Sequence, residues 1–276
     1  MDELEARLAA LATRLGGLGG VLVAFSGGAD SAFLLAAATR AVGAANVVAA
    51  TAVSPSLPAD ELADAAAFAA ELGVRHVTPR TEEMARAGYR ANDGERCYFC
   101  KAELIDVLRP VAVDHGVPHV ATGTNADDAV AGFRPGIRAA AERGAVTPLR
   151  DAGLTKVQVR AASRAWGLRT WDKPAAACLS SRVAYGVTIS PERLMRVGRG
   201  EVALRAALDG AGIVVRDLRV RDLGDRARIE IDADAVRAVA ARPDLLAAVE
   251  GFDTVELDPR GFRSGSMNEV LASNSG

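Results

Sequence analysis

The stretch GVLVAFSGGADSAFLLAAATRAVG, residues 20–43, limits the possible folds more than any other part of the chain. Its apolar start, GVLVAF, is short and rich in aliphatic residues, as a buried strand is, and the alanine-rich run after Asp30 has helical period. The same alternation recurs. NVVAATAV (46–53), RHVTP (75–79) and HVATGT (119–124) read as strands, and SAFLLAAATRAVG, ADELADAAAFAAELG and KAELIDVLRPVAVDHG read as helices between them. Continuous apolar strands separated by helices predict a parallel sheet covered on both faces. Residues 1–185 are therefore expected to form a doubly wound α/β domain.

Beyond Gly186 the pattern changes to one long helix from about Pro191 to Gly210, the strand-like runs VVRDLRVRDL and RARIEIDA, a further helix, and FDTVELD. Gly224 and Asp225 separate the first two runs as a hairpin requires. Residues 186–276 are expected to form a smaller α+β domain of ferredoxin-like type, serving substrate binding and oligomerisation. The chain shows no internal repeat, and its tail SNSG is expected to be loose.

A chain of 276 residues, half of them hydrophobic, can bury a core and divide into two units. A formal net charge of −2 gives no overall basic field for nucleic acid. Asp2, Glu3 and Glu5 stand where a secretory signal would be basic, and no apolar run approaches the ~20 residues of a membrane span. The start reads as an amphipathic helix. Three cysteines, an odd and small number, argue against a disulfide framework and suit a reducing compartment, so the cytoplasm is expected.

In SGGADS, residues 26–31, a strand ends and a helix begins, so backbone N–H groups and the positive helix end converge on one point. Gly27 and Gly28 let the backbone approach an anion, Ser26 and Ser31 offer hydroxyls, and Asp30 can cap the helix or help hold Mg2+. The loop lacks the Gly-Lys-Ser/Thr of a Walker motif and the G-x-G-x-x-G of a dinucleotide site. It resembles the PP-loop of ATP pyrophosphatases, the adenine nucleotide alpha hydrolase-like enzymes that cleave ATP between its α and β phosphates. The bland alternative is an ordinary strand-to-helix turn with a capping Asp. In an open parallel sheet the ligand crevice lies at the carboxyl ends of the strands, so Ser54 and Gly123 join Ser26 as expected nucleotide contacts. Asn125 and Asp127, followed by Asp128, are expected at ribose or magnesium, against the plainer reading of a solvated turn.

Cys97 and Cys100 form a C-x-x-C pair, and Cys178 lies far downstream. Arg96, Lys101 and Arg182 flank them, and nearby positive charge favours the thiolate. Four readings compete: small buried hydrophobes; a zinc site that would have to borrow His76, His115 or His119; a redox pair, although the motif does not follow the first strand of a thioredoxin-like unit; and an iron–sulfur cluster on three thiolates. A four-iron cluster normally takes four cysteines, so three would leave one iron open.

Taken together, SGGADS, RCYFCK, TGTNADD, RPGIRAA, LTKVQVR, DKPAAACLSSRVAYG and RVRDLGDRARIEI resemble the LarE family, the ATP-dependent pyridinium-3,5-biscarboxylic acid mononucleotide sulfurtransferases of nickel-pincer cofactor biosynthesis, which serves lactate racemase maturation. The resemblance runs from about Gly20 to Leu271. It implies that ATP adenylates a carboxylate of the mononucleotide, and that a sulfur nucleophile displaces AMP to leave a thiocarboxylate. In members with one active-site cysteine, the residue matching Cys178 gives up its own sulfur and becomes dehydroalanine. Because this chain also has Cys97 and Cys100, it resembles the branch in which three cysteines hold a [4Fe-4S] cluster carrying an extra sulfide. The resemblance further implies that Arg219, Arg221, Glu230 and Glu201 contact the mononucleotide, that Arg182 in SSR serves nucleotide phosphate, and that the protein is a homo-oligomer resupplied by a sulfur-supplying protein. Without it, Arg219 and Arg221 would read equally well as one solvated strand face.

The rival enzyme reading is a tRNA thiolase, which would be expected to show a basic face and stacking aromatics; aromatics are 4% of this chain. The rival outside catalysis is a nucleotide- or redox-sensing module.

Overall fold

The computed structural model describes residues 2–130, 134–174, 177–263 and 265–268. In chain order the elements are α1 (Glu3–Leu18), β1 (Val21–Ala24), α2 (Ala29–Val42), β2 (Val47–Ala50), α3 (Ala59–Glu71), β3 (Arg75–Val77), α4 (Ala87–Arg90), α5 (Arg96–Asp114), β4 (His119–Thr122), α6 (Ala126–Val130), α7 (Pro135–Glu142), α8 (Pro148–Asp151), α9 (Lys156–Ala165), α10 (Pro191–Gly210), β5 (Leu218–Asp222), β6 (Arg226–Ile231), α11 (Val236–Ala240) and β7 (Thr254–Leu257). They form two compact units. One comprises Met1–Glu83 and Cys97–Ala176, the other Met84–Arg96 and Ala177–Gly276. Sequence periodicity places a single boundary after residue 185, whereas the segment 84–96 joins the second unit through hydrogen bonds that periodicity does not display.

In the first unit four parallel strands lie in the order β3-β2-β1-β4. Strand alternation sends successive side chains to opposite faces. Val21, Val23, Val47 and Ala49 join a core with Leu11 and Leu15 of α1, Phe33 to Ala38 of α2, Ala65 and Phe68 of α3, and Val159 and Ala162 of α9. Leu22, Val48 and Ala50 join a second core with Ile105, Leu108 and Ala112 of α5 and Ala140 of α7. This is the doubly wound parallel sheet expected of a PP-loop domain. Strand order reverses between β1 and β4, where the open crevice of such a sheet lies.

In the second unit β5 and β6 form an antiparallel hairpin across Leu223–Asp225, and β7 pairs parallel to β6. A ferredoxin-like sheet would set another strand between those parallel neighbours, so the direct β6–β7 pairing departs from that expectation. α10 covers the sheet with Leu194, Val197, Leu204 and Leu208 buried. Its Ser190 cap accepts a hydrogen bond from the Arg193 N–H, and Pro191 takes the first helical position. The segment 84–96 belongs to this unit through Asn92, whose φ is +54° and whose Nδ2 donates to the carbonyls of Ala184 (2.7 Å), Val187 (2.9 Å) and Val183 (3.3 Å).

Among the described residues no helix is long and apolar enough to cross a membrane. The tail SNSG and Leu271 lie outside the described residues.

Candidate active site

In the first unit Ser26, Gly27, Gly28, Asp30 and Ser31 follow β1, Gly123, Asn125 and Asp127 follow β4, and Ser54 follows β2, whereas Arg182 lies in the second unit. Gly27 has φ +74°, a left-handed conformation that a side chain would strain. It lets the chain turn from β1 into α2, whose cap is Gly28. Ser31 donates from Oγ to the Gly28 carbonyl at 3.0 Å, and the Ser26 hydroxyl reaches Ser31 Oγ at 3.2 Å. The loop is therefore closed on itself, with the first turn of a 14-residue helix behind it. Gly123 fits against that turn: a Cβ there would lie 2.8 Å from the Ser31 nitrogen and 3.0 Å from its Cα. Only a residue without a side chain lets the end of β4 approach the loop.

Asp30 stands in the first turn of α2. Burial raises its carboxyl above the usual carboxylate range and Asp128 adds to this, while Lys156, a hydrogen bond from Asn125 and Arg160 oppose it. Its Oδ1 is buried without a hydrogen-bond partner. An unsatisfied carboxylate oxygen beside an anion loop fits a magnesium ion, whose hard charge prefers oxygen ligands. Asn125 caps α6, its Oδ1 accepting from the N–H groups of Asp127 (2.9 Å) and Asp128 (3.3 Å). Asp127 is engaged elsewhere: its Oδ2 accepts the Lys156 N–H at 2.8 Å, tying α6 to the start of α9. Ser54, beyond β2, donates to Glu83 Oε1 at 2.5 Å and meets Ser56 Oγ at 2.9 Å. Glu83 is buried.

The sequence motifs give no role to Lys156, Arg160 or Lys173. Charges from Lys156 and Arg160 act on Asp30. The signal was present in LTKVQ: Thr155 and Gln158 form a capping box that fixes the start of α9. Lys173 pairs with Glu61 (2.7 Å) and Asp64 (3.2 Å).

Cys178 lies in the second unit, just before a 3-10 turn, Leu179–Arg182. Arg182 is buried and its donors are spoken for. Nε and Nη2 hold the two oxygens of Glu201 at 2.9 and 3.1 Å, and Nη1 donates to the carbonyls of Cys178 (3.1 Å) and Ala177. Arg182 thus fixes the backbone of the cysteine segment. Glu201 Oε1 also accepts the Val220 N–H at 3.1 Å, which ties that segment to β5.

Arg219 and Arg221 share one face of β5, and this face is covered rather than solvated, with Arg221 only 5% exposed. Arg221 donates from Nε (3.0 Å) and Nη2 (2.6 Å) to Oε2 of buried Glu230, and from Nη1 to the Ser181 carbonyl at 3.1 Å. Arg219 lies over the Phe262 ring at 5.1 Å. Burial lowers its pKa from the ordinary arginine value, and the neighbouring Arg182 charge lowers it further. Asp217 Oδ1 lies 3.8 Å from Arg219 Nη2, so Arg182, Arg219 and Arg221 are set among Glu201, Asp217 and Glu230. Guanidinium forks suit phosphate and carboxylate.

Cys97 and Cys100 sit on α5 of the first unit, at i and i+3, where residues share a helix face; Cys97 is exposed and Cys100 half-buried. An open-site four-iron cluster needs three thiolates together. Among the described residues no group of three or more His, Cys, Asp or Glu is gathered to hold a metal ion. Cys97 and Cys100 belong to one unit and Cys178 to the other.

Comparison with known proteins adds an independent line. The NAD synthase family model matches residues 5–111. The uncharacterized protein slr1717 of Synechocystis sp. is 43% identical over 97% of this chain and 99% of its own. The pyridinium-3,5-bisthiocarboxylic acid mononucleotide synthase of Lactiplantibacillus plantarum is 32% identical over 98% of this chain and 97% of its own. The uncharacterized protein MJ0830 of Methanocaldococcus jannaschii is 29% identical over 63% of this chain and 66% of its own. With a PP-loop sheet in one unit, a cysteine among buried arginines in the other, and near full-length identity to that synthase, the chain belongs to the LarE family of enzymes.

Proposed function

We propose that this protein uses ATP to activate a carboxylate of pyridinium-3,5-biscarboxylic acid mononucleotide and exchanges the activated oxygen for sulfur, releasing AMP and pyrophosphate. The observation that carries the reading is the tie between Cys178 and the arginine lattice: Arg182 holds the Cys178 carbonyl at 3.1 Å, and Arg221 holds the Ser181 carbonyl at 3.1 Å. A sulfur-bearing residue and groups suited to an anionic substrate belong to one unit. The relative from L. plantarum, by its name, makes the bisthiocarboxylic product.

A carboxylate is a poor electrophile, because its leaving group would be oxide. Activation turns that oxygen into part of AMP. The SGGADS loop binds the phosphates through its N–H groups and hydroxyls, and Asp30 would hold Mg2+, whose charge offsets that of the phosphates. One carboxylate oxygen attacks the α phosphorus, the α–β bridge breaks, and its electron pair leaves on pyrophosphate. Arg219 and Arg221, with Glu201 and Glu230 orienting the lattice, hold the mononucleotide. The Cys178 thiolate attacks the acyl carbon and AMP departs. Loss of the Cys178 α proton to a base then breaks its Cβ–S bond, the electron pair going to sulfur, and leaves a thiocarboxylate and dehydroalanine. This route turns over once. Repeated turnover needs sulfide brought by another donor, which is the service a sulfur-supplying protein would render.

The test is anaerobic incubation with Mg·ATP and the biscarboxylated mononucleotide, followed by mass spectrometry of the small molecules and the intact protein. Thiocarboxylate with AMP is expected, and loss of about 34 Da from the protein identifies Cys178 as the donor. Several turnovers with Cys178 unaltered would reassign the sulfur to a carried sulfide. Thiolation of tRNA with none of the mononucleotide would overturn the reading.

A further inference from the structure

We propose that Lys173 is the cation that meets the pyrophosphate portion of the bound nucleotide, and that Glu61 holds it beside the loop until the nucleotide arrives. The inference rests on the nucleotide reading above and goes beyond it by naming the group that carries the leaving charge.

A carboxylate faces the phosphate loop. Glu61 Oε2 lies 3.5 Å from the point where a Cβ on Gly27 would stand. Alone, it would repel the anion that the loop is shaped to take. It is not alone, because Lys173 Nζ sits 2.7 Å from the same Oε2 and 3.2 Å from Asp64 Oδ2. The pair is neither sealed in nor free in solvent, with side chains 21% and 19% exposed. Such a pair can be opened by a stronger anion, since water and screening keep its net worth small.

The backbone of Lys173 is fixed where its tip is not. Its N–H donates to the Thr170 carbonyl at 3.1 Å, and its carbonyl accepts from Arg160 Nη2 at 3.2 Å. Arg160 is one of the charges acting on Asp30, so the root of Lys173 is anchored to a residue facing the loop. A flexible four-carbon stem then carries a compact point charge that can move from Glu61 to a phosphate oxygen. Burial pulls the Lys173 pKa down, but hydrogen bonds and charge from Glu61 and Asp64 outweigh it and hold the ammonium above its ordinary value. It therefore arrives protonated. When the α–β bridge breaks and the electron pair departs on pyrophosphate, Lys173 keeps its proton and donates hydrogen bonds to the departing oxygens, stabilising charge as it develops.

The arrangement makes a prediction of opposite signs. Titration calorimetry of the full chain with inorganic pyrophosphate, with Mg2+ present, compares Lys173→Gln, Lys173→Arg and Glu61→Gln with the parent. Lys173→Gln should weaken pyrophosphate binding by about tenfold, Lys173→Arg should retain most of it, and Glu61→Gln should strengthen it about threefold or more. An ion pair serving structure alone predicts lower melting temperatures for Glu61→Gln and Lys173→Gln with no opposite change in affinity. Affinities that move together, or not at all, overturn the proposal. Should Lys173→Gln fail to fold, Glu61→Gln decides by itself. A parent protein that binds neither pyrophosphate nor Mg·ATP sinks the nucleotide reading itself, an outcome distinct from parent binding that the variants leave unchanged.

Discussion

Arg96 donates from Nη1 to the carbonyl oxygen of Ser180 at 2.9 Å, and from the same nitrogen to Asn92 Oδ1 at 2.6 Å. With Tyr89, whose hydroxyl meets Ser180 Oγ at 2.5 Å, these residues clasp the turn that follows Cys178. Asn92 is the centre of the clasp. It is fully buried, left-handed, and the donor to three carbonyls.

Asn92→Ala removes those bonds, leaves buried carbonyls and the Arg96 guanidinium short of a partner, and places a methyl-bearing residue at positive φ. The expected loss is about 2–4 kcal/mol in urea unfolding. A loss below about 1 kcal/mol would mean that other residues hold the turn.

Asp30→Asn should separate stability from activity. Burial works against the Asp30 charge and its Oδ1 has no partner, so the neutral amide relieves a desolvation penalty. The variant is expected to melt at the same temperature or higher, while nucleotide-dependent pyrophosphate release falls by about a hundredfold or more. Full activity in the variant would remove Asp30 from the nucleotide site.

Much of the first unit was legible because its signals are local. Continuous aliphatic runs such as VLVA mark strands buried on both faces, and in the second unit the long helix α10 likewise appears at Pro191–Gly210, where the sequence pattern puts it. Local patterns did not reveal pairings across the chain. Arg182 and Glu201 are 19 residues apart, and Lys173 and Glu61 are 112 apart. The cysteines show the same limit: CYFC reads as a motif, but its place inside α5, which begins at Arg96 rather than Lys101, depends on packing of the following turns. The segment 84–96 carries no strong period, and its membership of the second unit rests on buried hydrogen bonds that sequence does not display.

His76 gives the first unit a pH dependence next to the phosphate loop. Its Nε2 lies 2.8 Å from Thr51 Oγ1, and Thr51 Oγ1 donates to the Phe25 carbonyl at 2.8 Å, so the imidazole donates in turn. Burial lowers the His76 pKa from 6.5. A group with a depressed folded pKa stabilises fully above its unfolded value and loses that stability as pH falls through the folded value. Stability should therefore decline below about pH 6.5, and His76→Gln should flatten the part of the curve that His76 causes. Denaturation midpoints of both proteins from pH 7.5 down to 5 check it; parallel curves would exclude His76.

The Arg221–Glu230 pair separates a binding role from a structural one. Both groups are almost wholly buried, and Ser266 donates to Glu230 Oε1 at 3.1 Å, so each charge is accounted for. Removing one partner strands the other charge in a low-dielectric setting. Arg221→Met and Glu230→Met are each expected to cost about 3–5 kcal/mol, whereas the double variant should cost clearly less than their sum, because two well-packed apolar side chains leave no orphan charge. Folding would then be partly restored in the double variant. Binding of the mononucleotide should not return with it, because the fork that suits phosphate and carboxylate is gone, and ATP binding should stay near that of the parent. Calorimetry with each ligand on the double variant makes the distinction. Recovery of mononucleotide binding along with stability would show that the pair serves the fold alone, and would leave Arg219 to carry substrate recognition.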